Sequence, residues 1–106
     1  MKLRDYQPGD IHAILDLFYL TVHSVNAADY TPAQLDAWAP ENPDAARWAL
    51  SLRAHDSVVA EEGGRLVGFA DLEAPGHFDR LYVHKDFQSR GIGTALAEEI
   101  EARARR

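Results

Sequence analysis

The segment that decides the fold of this chain reads Gln88-Ser89-Arg90-Gly91-Ile92-Gly93-Thr94-Ala95-Leu96. It follows an alternating apolar run, Phe78 to Val83, and precedes apolar residues at helical spacing from Ile92. The pattern predicts a strand, a short loop and the first turn of a helix. Two glycines let the backbone turn with its N–H groups unobstructed, and a helix N-terminus adds unpaired donors and the positive end of the helix dipole. The segment therefore predicts an anion site, and phosphate is its natural ligand.

The kind of phosphate ligand follows from the spacing of the glycines. A dinucleotide fingerprint, G-x-G-x-x-G, requires glycine where the chain has Leu96, and a Walker loop requires Gly-Lys-Ser/Thr after a four-residue gap. Neither pattern is present. The segment fits Q-x-x-G-x-G/A after a strand, and in this it resembles the acetyl-CoA pyrophosphate loop of the GNAT superfamily of N-acetyltransferases. The preceding residues resemble that family's strand and loop, with Lys85 where proline is common; they read Leu81-Tyr82-Val83-His84-Lys85-Asp86-Phe87.

The resemblance implies an N-acetyltransferase that moves acetyl directly from acetyl-CoA to a primary amine of a small molecule or a protein. It implies that backbone amides of the strand bind pantetheine and polarise the thioester; these belong to Leu81, Tyr82 and Val83. It implies that the loop holds the pyrophosphate, with Arg90 adding a charge contact; the residues are Gln88, Ser89, Arg90, Gly91, Ile92, Gly93 and Thr94. No metal is expected, because the histidines include no H-E-x-x-H spacing.

Composition narrows the class of protein. A length of 106 residues predicts one domain, and 46% hydrophobic with 26% charged residues is typical of a soluble globular protein. No run of eighteen apolar residues and no secretory signal is present, so we expect a cytoplasmic protein without a membrane partner. A net charge of −6 argues against nucleic acid, and the absence of cysteine excludes a thiol nucleophile.

Periodicity predicts four strands and four helices. In the first half of the chain they are a strand within Met1–Tyr6, a helix from Ile11 to about Ser24, a short helix that begins near Thr31 and ends before Pro40, and another that begins near Asp44 and ends near Ala54. In the second half they are the strands Ser57–Glu61, Leu66–Glu73 and His77–Val83 and a helix from Ile92 to about Arg103. We expect Asp10 to cap the first helix and Gly68 to mark a bulge or a close backbone approach. The predicted fold class is α+β, a three-layer arrangement like that of the GNAT family, with a mixed, mainly antiparallel sheet flanked by helices.

The element order matches the first two-thirds of a GNAT domain. We expect a single domain over residues 1–106 that lacks the family's final strand, helix and two strands, and with them the tyrosine that commonly protonates the leaving thiolate. The strand His77–Val83 would then be an open sheet edge. Because such edges pair with other chains, we expect either a homodimer or strand exchange there, or else a marginally stable fold.

Candidate catalytic residues flank the predicted loop. Asp79 and His77 alternate onto one side of the last strand and are the leading general-base candidates, with Asp71 and Glu73 on the neighbouring strand as others. For each of them a strand-end polar group or a salt-bridge partner is the competing interpretation. The amine acceptor is expected near the end of the first helix, where aromatic and polar residues gather: Tyr19, His23, Asn26, Asp29, Tyr30 and Trp38.

Two other functions stay open at this point. One is a catalytically impaired CoA-binding or assembly module, or a fragment of an acetyltransferase. The other is a nucleotide-phosphate binder, which is weaker because no lysine or acidic ribose contact lies at the expected spacing.

Overall fold

The computed structural model describes residues 1–24, 27–73, 77–88 and 90–105, and of residues 27 and 77–79 the backbone alone. The strands are β1 Lys2–Asp5, β2 Asp56–Glu62, β3 Arg65–Glu73 and β4 His77–Val83, and the helices are α1 Ile11–Ser24, α2 Pro32–Trp38, α3 Ala45–Ala54 and α4 Ile92–Ala104. Three 3-10 turns, which the periodicity did not predict, cover Pro8–Asp10, Ala27–Asp29 and Lys85–Phe87. The predicted α+β fold is confirmed, with every predicted strand and helix present.

The strands form one sheet in the order β1-β2-β3-β4, and every pairing in the described part of the chain is antiparallel. Consecutive strands are therefore neighbours, as short connections favour. β1 and β4 are the two edge strands of this sheet. The position of β4 matters for the site, because its carboxyl end leads straight into the glycine-rich loop.

Helices cover both faces of the sheet. α4 presents Ile92, Leu96 and Ile100, four residues apart, to one face, where they join a buried cluster with residues of β2, β3 and β4. α1 and α3 cover the other face, with Ile14 and Leu52 packed against Val59 and Phe69. The sheet is therefore the middle of three layers, and its two apolar faces explain the nearly continuous burial of β3.

Gly68 lies where α4 approaches β3 most closely. A Cβ atom there would lie 3.0 Å from a methyl carbon of Leu96 and 3.1 Å from the carbonyl oxygen of Tyr82. One residue earlier, the register with β2 shifts, since Ala60 pairs with Gly68 but Glu61 pairs with Leu66. Both alternatives predicted for this glycine, a bulge and a close approach, are confirmed.

Asp10 does not cap α1, so that prediction is wrong. Its carboxylate turns back along the chain, accepting from the Gln7 N–H at 2.8 Å and from both terminal nitrogens of Arg4 at 2.8 Å. A bidentate contact between a guanidinium and a carboxylate is among the strong, geometrically specific hydrogen-bonded pairs in proteins. The arginine of β1 therefore takes the carboxylate, and Asp10 closes the 3-10 turn that precedes the helix.

Candidate functional site

The loop after β4 ends in a left-handed residue that starts α4. Gly91 has φ +79° and ψ 5°, is the N-cap of the helix, and its carbonyl accepts from the Ala95 N–H at 3.0 Å. Gly91 has no side chain, so the N-cap residue itself gives the helix no capping hydrogen bond. The N–H groups of the first turn have no intrahelical acceptor, and the buried Ile92 side chain fixes that turn against the core. The geometry predicted for an anion site, a glycine-permitted turn followed by free amides, is present.

Gln88 has a role that its place in the motif did not reveal. Its side-chain amide donates to the carbonyl oxygen of Val83 at 2.6 Å. The same oxygen lies 3.5 Å from the hydroxyl of Thr21 on α1, which is a weak contact. The Gln88 side chain therefore braces the loop against the end of β4. Ser89 lies outside the described residues.

The backbone N–H groups of β4 point alternately to the two edges of the strand. The His84 N–H donates to Val67 of β3 at 2.8 Å. Because N–H groups alternate along a strand, that of Tyr82 points the same way and those of Leu81 and Val83 point to the outer edge. The Tyr82 side chain is packed edge-on against Phe18, with ring centroids 5.1 Å apart. Of the three predicted amides, two are thus directed where a ligand along the edge would lie.

A buried polar network lies under β4. Asp71 of β3 is 0% exposed and accepts from Arg80 Nη2 at 2.6 Å and from His55 Nδ1 at 2.7 Å. Arg80 also donates to the Ser51 hydroxyl at 2.9 Å, and its guanidinium lies 4.5 Å from the ring centroid of Trp48. The Asp71 carboxylate is therefore occupied by partners and enclosed by α3, β3 and β4. This arrangement favours a structural role for Asp71 over the base role considered from the sequence.

Asp79 and His77 belong to β4, but their side chains lie outside the described part of the structure, so their catalytic role stays a prediction. The backbone adds one fact. Asp71 pairs with Arg80 whereas Leu72 pairs with Phe78, so β4 has one residue more than β3 at this point. The extra residue is Asp79, and simple alternation does not continue through it.

Two arginines lie close to the start of the loop. The guanidinium carbon of Arg90 is 4.9 Å from the Phe87 ring centroid and that of Arg65 is 5.6 Å from it. Arg65 also reaches the buried His84, with Nη2 2.9 Å from Nε2. Burial first, and then the positive charge of Arg65, hold the pKa of His84 below its ordinary value of 6.5. Arg65 precedes the loop by more than twenty residues, so nothing local in the sequence pointed to it.

The aromatic residues predicted for the acceptor region form two pairs. The Tyr19 ring stacks on His23 with centroids 4.2 Å apart, and His23 Nε2 lies 2.8 Å from the carbonyl oxygen of Ala39. Tyr30 and Trp38, both exposed, meet edge-to-face at 5.5 Å. Asn26 lies outside the described residues. A cavity of about 390 Å³ next to Tyr19 is lined by Leu15, Asp16, Tyr19, Leu20, Glu41 and Pro43.

No helix within the described ranges is both long and apolar enough to cross a membrane. No group of three or more histidine, aspartate or glutamate side chains in the same ranges could hold a metal ion.

The chain matches known proteins along most of its length. The family model described as "Acetyltransferase (GNAT) domain" matches residues 26–106. The uncharacterized N-acetyltransferase YafP of Escherichia coli K12 is 30% identical over 100 residues, which are 94% of this chain and 65% of that protein. The crystal structure of a GCN5-related N-acetyltransferase from Rhodopseudomonas palustris superposes with a TM-score of 0.92 at 37% identity, covering 97% of this chain and 64% of that one.

The PaiA N-acetyltransferase of Thermoplasma acidophilum, solved in complex with coenzyme A, has the same fold at 16% identity, with a TM-score of 0.85 over 98% of this chain and 71% of that one. The chain spans slightly under two thirds of the E. coli and R. palustris proteins. The family match covers well over half of the present sequence and includes both β4 and the glycine-rich loop. The chain therefore belongs to the GNAT superfamily of acetyltransferases.

Proposed function

We propose that this chain binds acetyl-CoA along the outer edge of β4, with the diphosphate on the loop and the first turn of α4, and transfers the acetyl group to a primary amine of a small molecule or a protein. The observation that carries the proposal is the left-handed start of the 13-residue α4 at Gly91, which has no side chain, follows β4 and a 3-10 turn, and lies within the Q-x-x-G-x-G pattern. Backbone amides at such a helix start bind phosphate well. The coenzyme A in the Thermoplasma structure supports the same class of ligand.

The chemistry requires donors, a base and a leaving group. The amine nitrogen attacks the thioester carbonyl carbon, the carbon–sulfur bond breaks, and the thiolate leaves while the amine loses a proton. The outward N–H groups of Leu81 and Val83 are the candidates that would stabilise negative charge on the carbonyl oxygen, a contribution of about 10²–10³ in rate per donor. Asp79 and His77 are the candidates for removing the amine proton. Because the chain has no cysteine to carry the acetyl group, we propose direct transfer rather than transfer through a thioester on the protein.

Calorimetry with CoA and acetyl-CoA tests the site. Gly91→Glu places a carboxylate beside the diphosphate and a side chain at φ +79°, so we expect its Kd to rise at least about tenfold. Gly9→Glu is the matched control, since it adds the same charge where a Cβ would meet nothing within 4 Å. Gly91→Asn separates the two effects, because asparagine tolerates the left-handed region without adding charge.

Equal binding by the wild type and Gly91→Glu, with both folded by circular dichroism, would remove the proposed site. A thiol-release assay over a panel of amines then tests transfer. Binding of CoA without release in the presence of any amine would assign the chain to the CoA-binding module considered from its sequence.

A further inference from the structure

His84 has two hydrogen-bond donors facing its ring. The Asp86 N–H points at Nδ1 across 3.1 Å, and Arg65 Nη2 lies 2.9 Å from Nε2. The side chain is 7% exposed, and its lowered pKa keeps the ring neutral at pH 7. A neutral imidazole has one N–H and one lone pair, so it can accept only one of these bonds. If Nδ1 accepts from Asp86, Nε2 carries a hydrogen and faces another donor. The opposite tautomer moves the same conflict to Nδ1.

The conflict can be relieved at Arg65. The Asp86 N–H is part of the main chain of a 3-10 turn, whereas Arg65 is exposed and has a flexible side chain. Glu62 lies directly across the β2–β3 turn, yet Arg65 makes no ion pair with it or with any other carboxylate of the described residues. An oxyanion beside this pair would accept from both the imidazole and the guanidinium, and it would give each donor the partner that it lacks.

The pair lies beside the glycine-rich loop. Arg65 and Arg90 both lie over the ring of Phe87, the residue before Gln88. Arg90 likewise makes no ion pair with a carboxylate in the part of the chain that the structure describes. Two arginines without carboxylate partners are unexpected in a chain with 17 acidic residues and a net charge of −6. Because Arg90 is expected to contact the diphosphate, Arg65 is the arginine beside the loop that still lacks an anionic partner among the described residues.

We propose that Arg65 and His84, which lie beside the Phe87 ring, form a second oxyanion site that binds a phosphate monoester. The inference rests on the proposed function, which supplies such a group, because CoA has a phosphate on its ribose 3′ oxygen in addition to its diphosphate. A cavity of about 280 Å³ opens at this pair, large enough for a phosphate group. Asp16 of α1 also lines that cavity and supplies an opposing charge, so its removal should strengthen the site.

Calorimetry with CoA and with 3′-dephospho-CoA tests the second site. We expect the wild type to bind CoA about tenfold more tightly, since a hydrogen bond to a charged group is worth about one power of ten or more. In Arg65→Gln the ratio of the Kd for 3′-dephospho-CoA to the Kd for CoA should fall towards 1. The reason is that CoA binding weakens while binding of 3′-dephospho-CoA stays unchanged. Arg47→Gln, an exposed arginine of α3, makes the same charge change and should keep the ratio. Asp16→Asn should increase it.

A ratio near 1 in the wild type, or a ratio retained in Arg65→Gln, overturns the proposal. Failure of the wild type to bind either ligand instead refutes the proposed function. The second site is then tested separately, without CoA. For that purpose the ring nitrogen resonances of His84 are followed by NMR during titration with adenosine 3′-monophosphate and with inorganic phosphate. A shift with the monoester in the wild type but not in Arg65→Gln supports the site. A shift with inorganic phosphate alone, or no shift, overturns it.

Discussion

Replacing Asp71 by asparagine would remove the charge at the centre of the buried network. The variant leaves Arg80, whose side chain is only 17% exposed, without the carboxylate that now lies 2.6 Å away. Removing one partner of a buried ion pair costs about 3–5 kcal/mol, whereas a domain of this size has about 5–15 kcal/mol of total stability. We expect a loss of about 3 kcal/mol, at the lower end because the guanidinium keeps some contact with water. That loss is a fifth or more of the free energy of unfolding.

Urea unfolding followed by far-ultraviolet circular dichroism measures this loss. The control is Glu101→Gln, which breaks an ion pair with Arg105 whose side chains are 64% and 80% exposed at a separation of 4.0 Å. Such a surface pair is worth less than about 1 kcal/mol. The double variant Asp71→Asn/Arg80→Gln should recover part of the loss, because it also removes the guanidinium charge that lost its contact with Asp71. If Asp71→Asn loses no more stability than Glu101→Gln, the reasoning is refuted.

Two further changes test the packing and the pH dependence. Gly68→Ala should destabilise the chain by about 1–3 kcal/mol, since the new methyl group would press on the Tyr82 carbonyl. The control is Gly93→Ala, whose Cβ meets nothing closer than 3.7 Å and which should be neutral or stabilising by up to about 1 kcal/mol. Equal unfolding midpoints for the two variants would contradict the close approach of α4. The pKa of Asp10 is held below its ordinary value of 3.8, chiefly by its hydrogen bond from Arg4. The stability that the ionised carboxylate contributes is therefore fully present above pH 3.8 and is lost as the pH falls through the pKa of the folded state. Asp10→Asn should therefore be less stable than the wild type at pH 7, with the difference shrinking in acid; urea unfolding at a series of pH values checks this, and a difference independent of pH would count against it.

Local signals in the sequence were enough to predict the strands and helices of the fold. The helix beginning at Ile11 and the strand His77–Val83 have the predicted starting residues, because amphipathic spacing and turn residues are readable over a few positions. Thr31 and Asp44 cap α2 and α3 as their side-chain chemistry suggests. The same locality explains why an anion site could be predicted, since its proposed donors are backbone amides whose direction depends on a glycine and a helix start within one short segment.

Local reasoning was wrong at Asp10 because a stronger partner, Arg4, lies on a different element. It also kept Asp71 among the candidates for the general base, since a residue inside an apolar strand does not show which side chains the neighbouring strand will place against it. Asp71 and Arg80 meet only because β3 and β4 pair in one register, and a shift of one residue would turn either side chain to the opposite face.

The sequence by itself thus determined the order of strands and helices, the glycine-rich turn and the family to which they belong, since each depends on residues close together in the chain. Only the tertiary structure decided that Gln88 braces the strand end, that Asp71 is enclosed by Arg80 and His55, and that Arg65 comes to lie on His84. These pairings depend on strand register and helix docking, which bring together residues that are separated in the sequence and leave no local pattern.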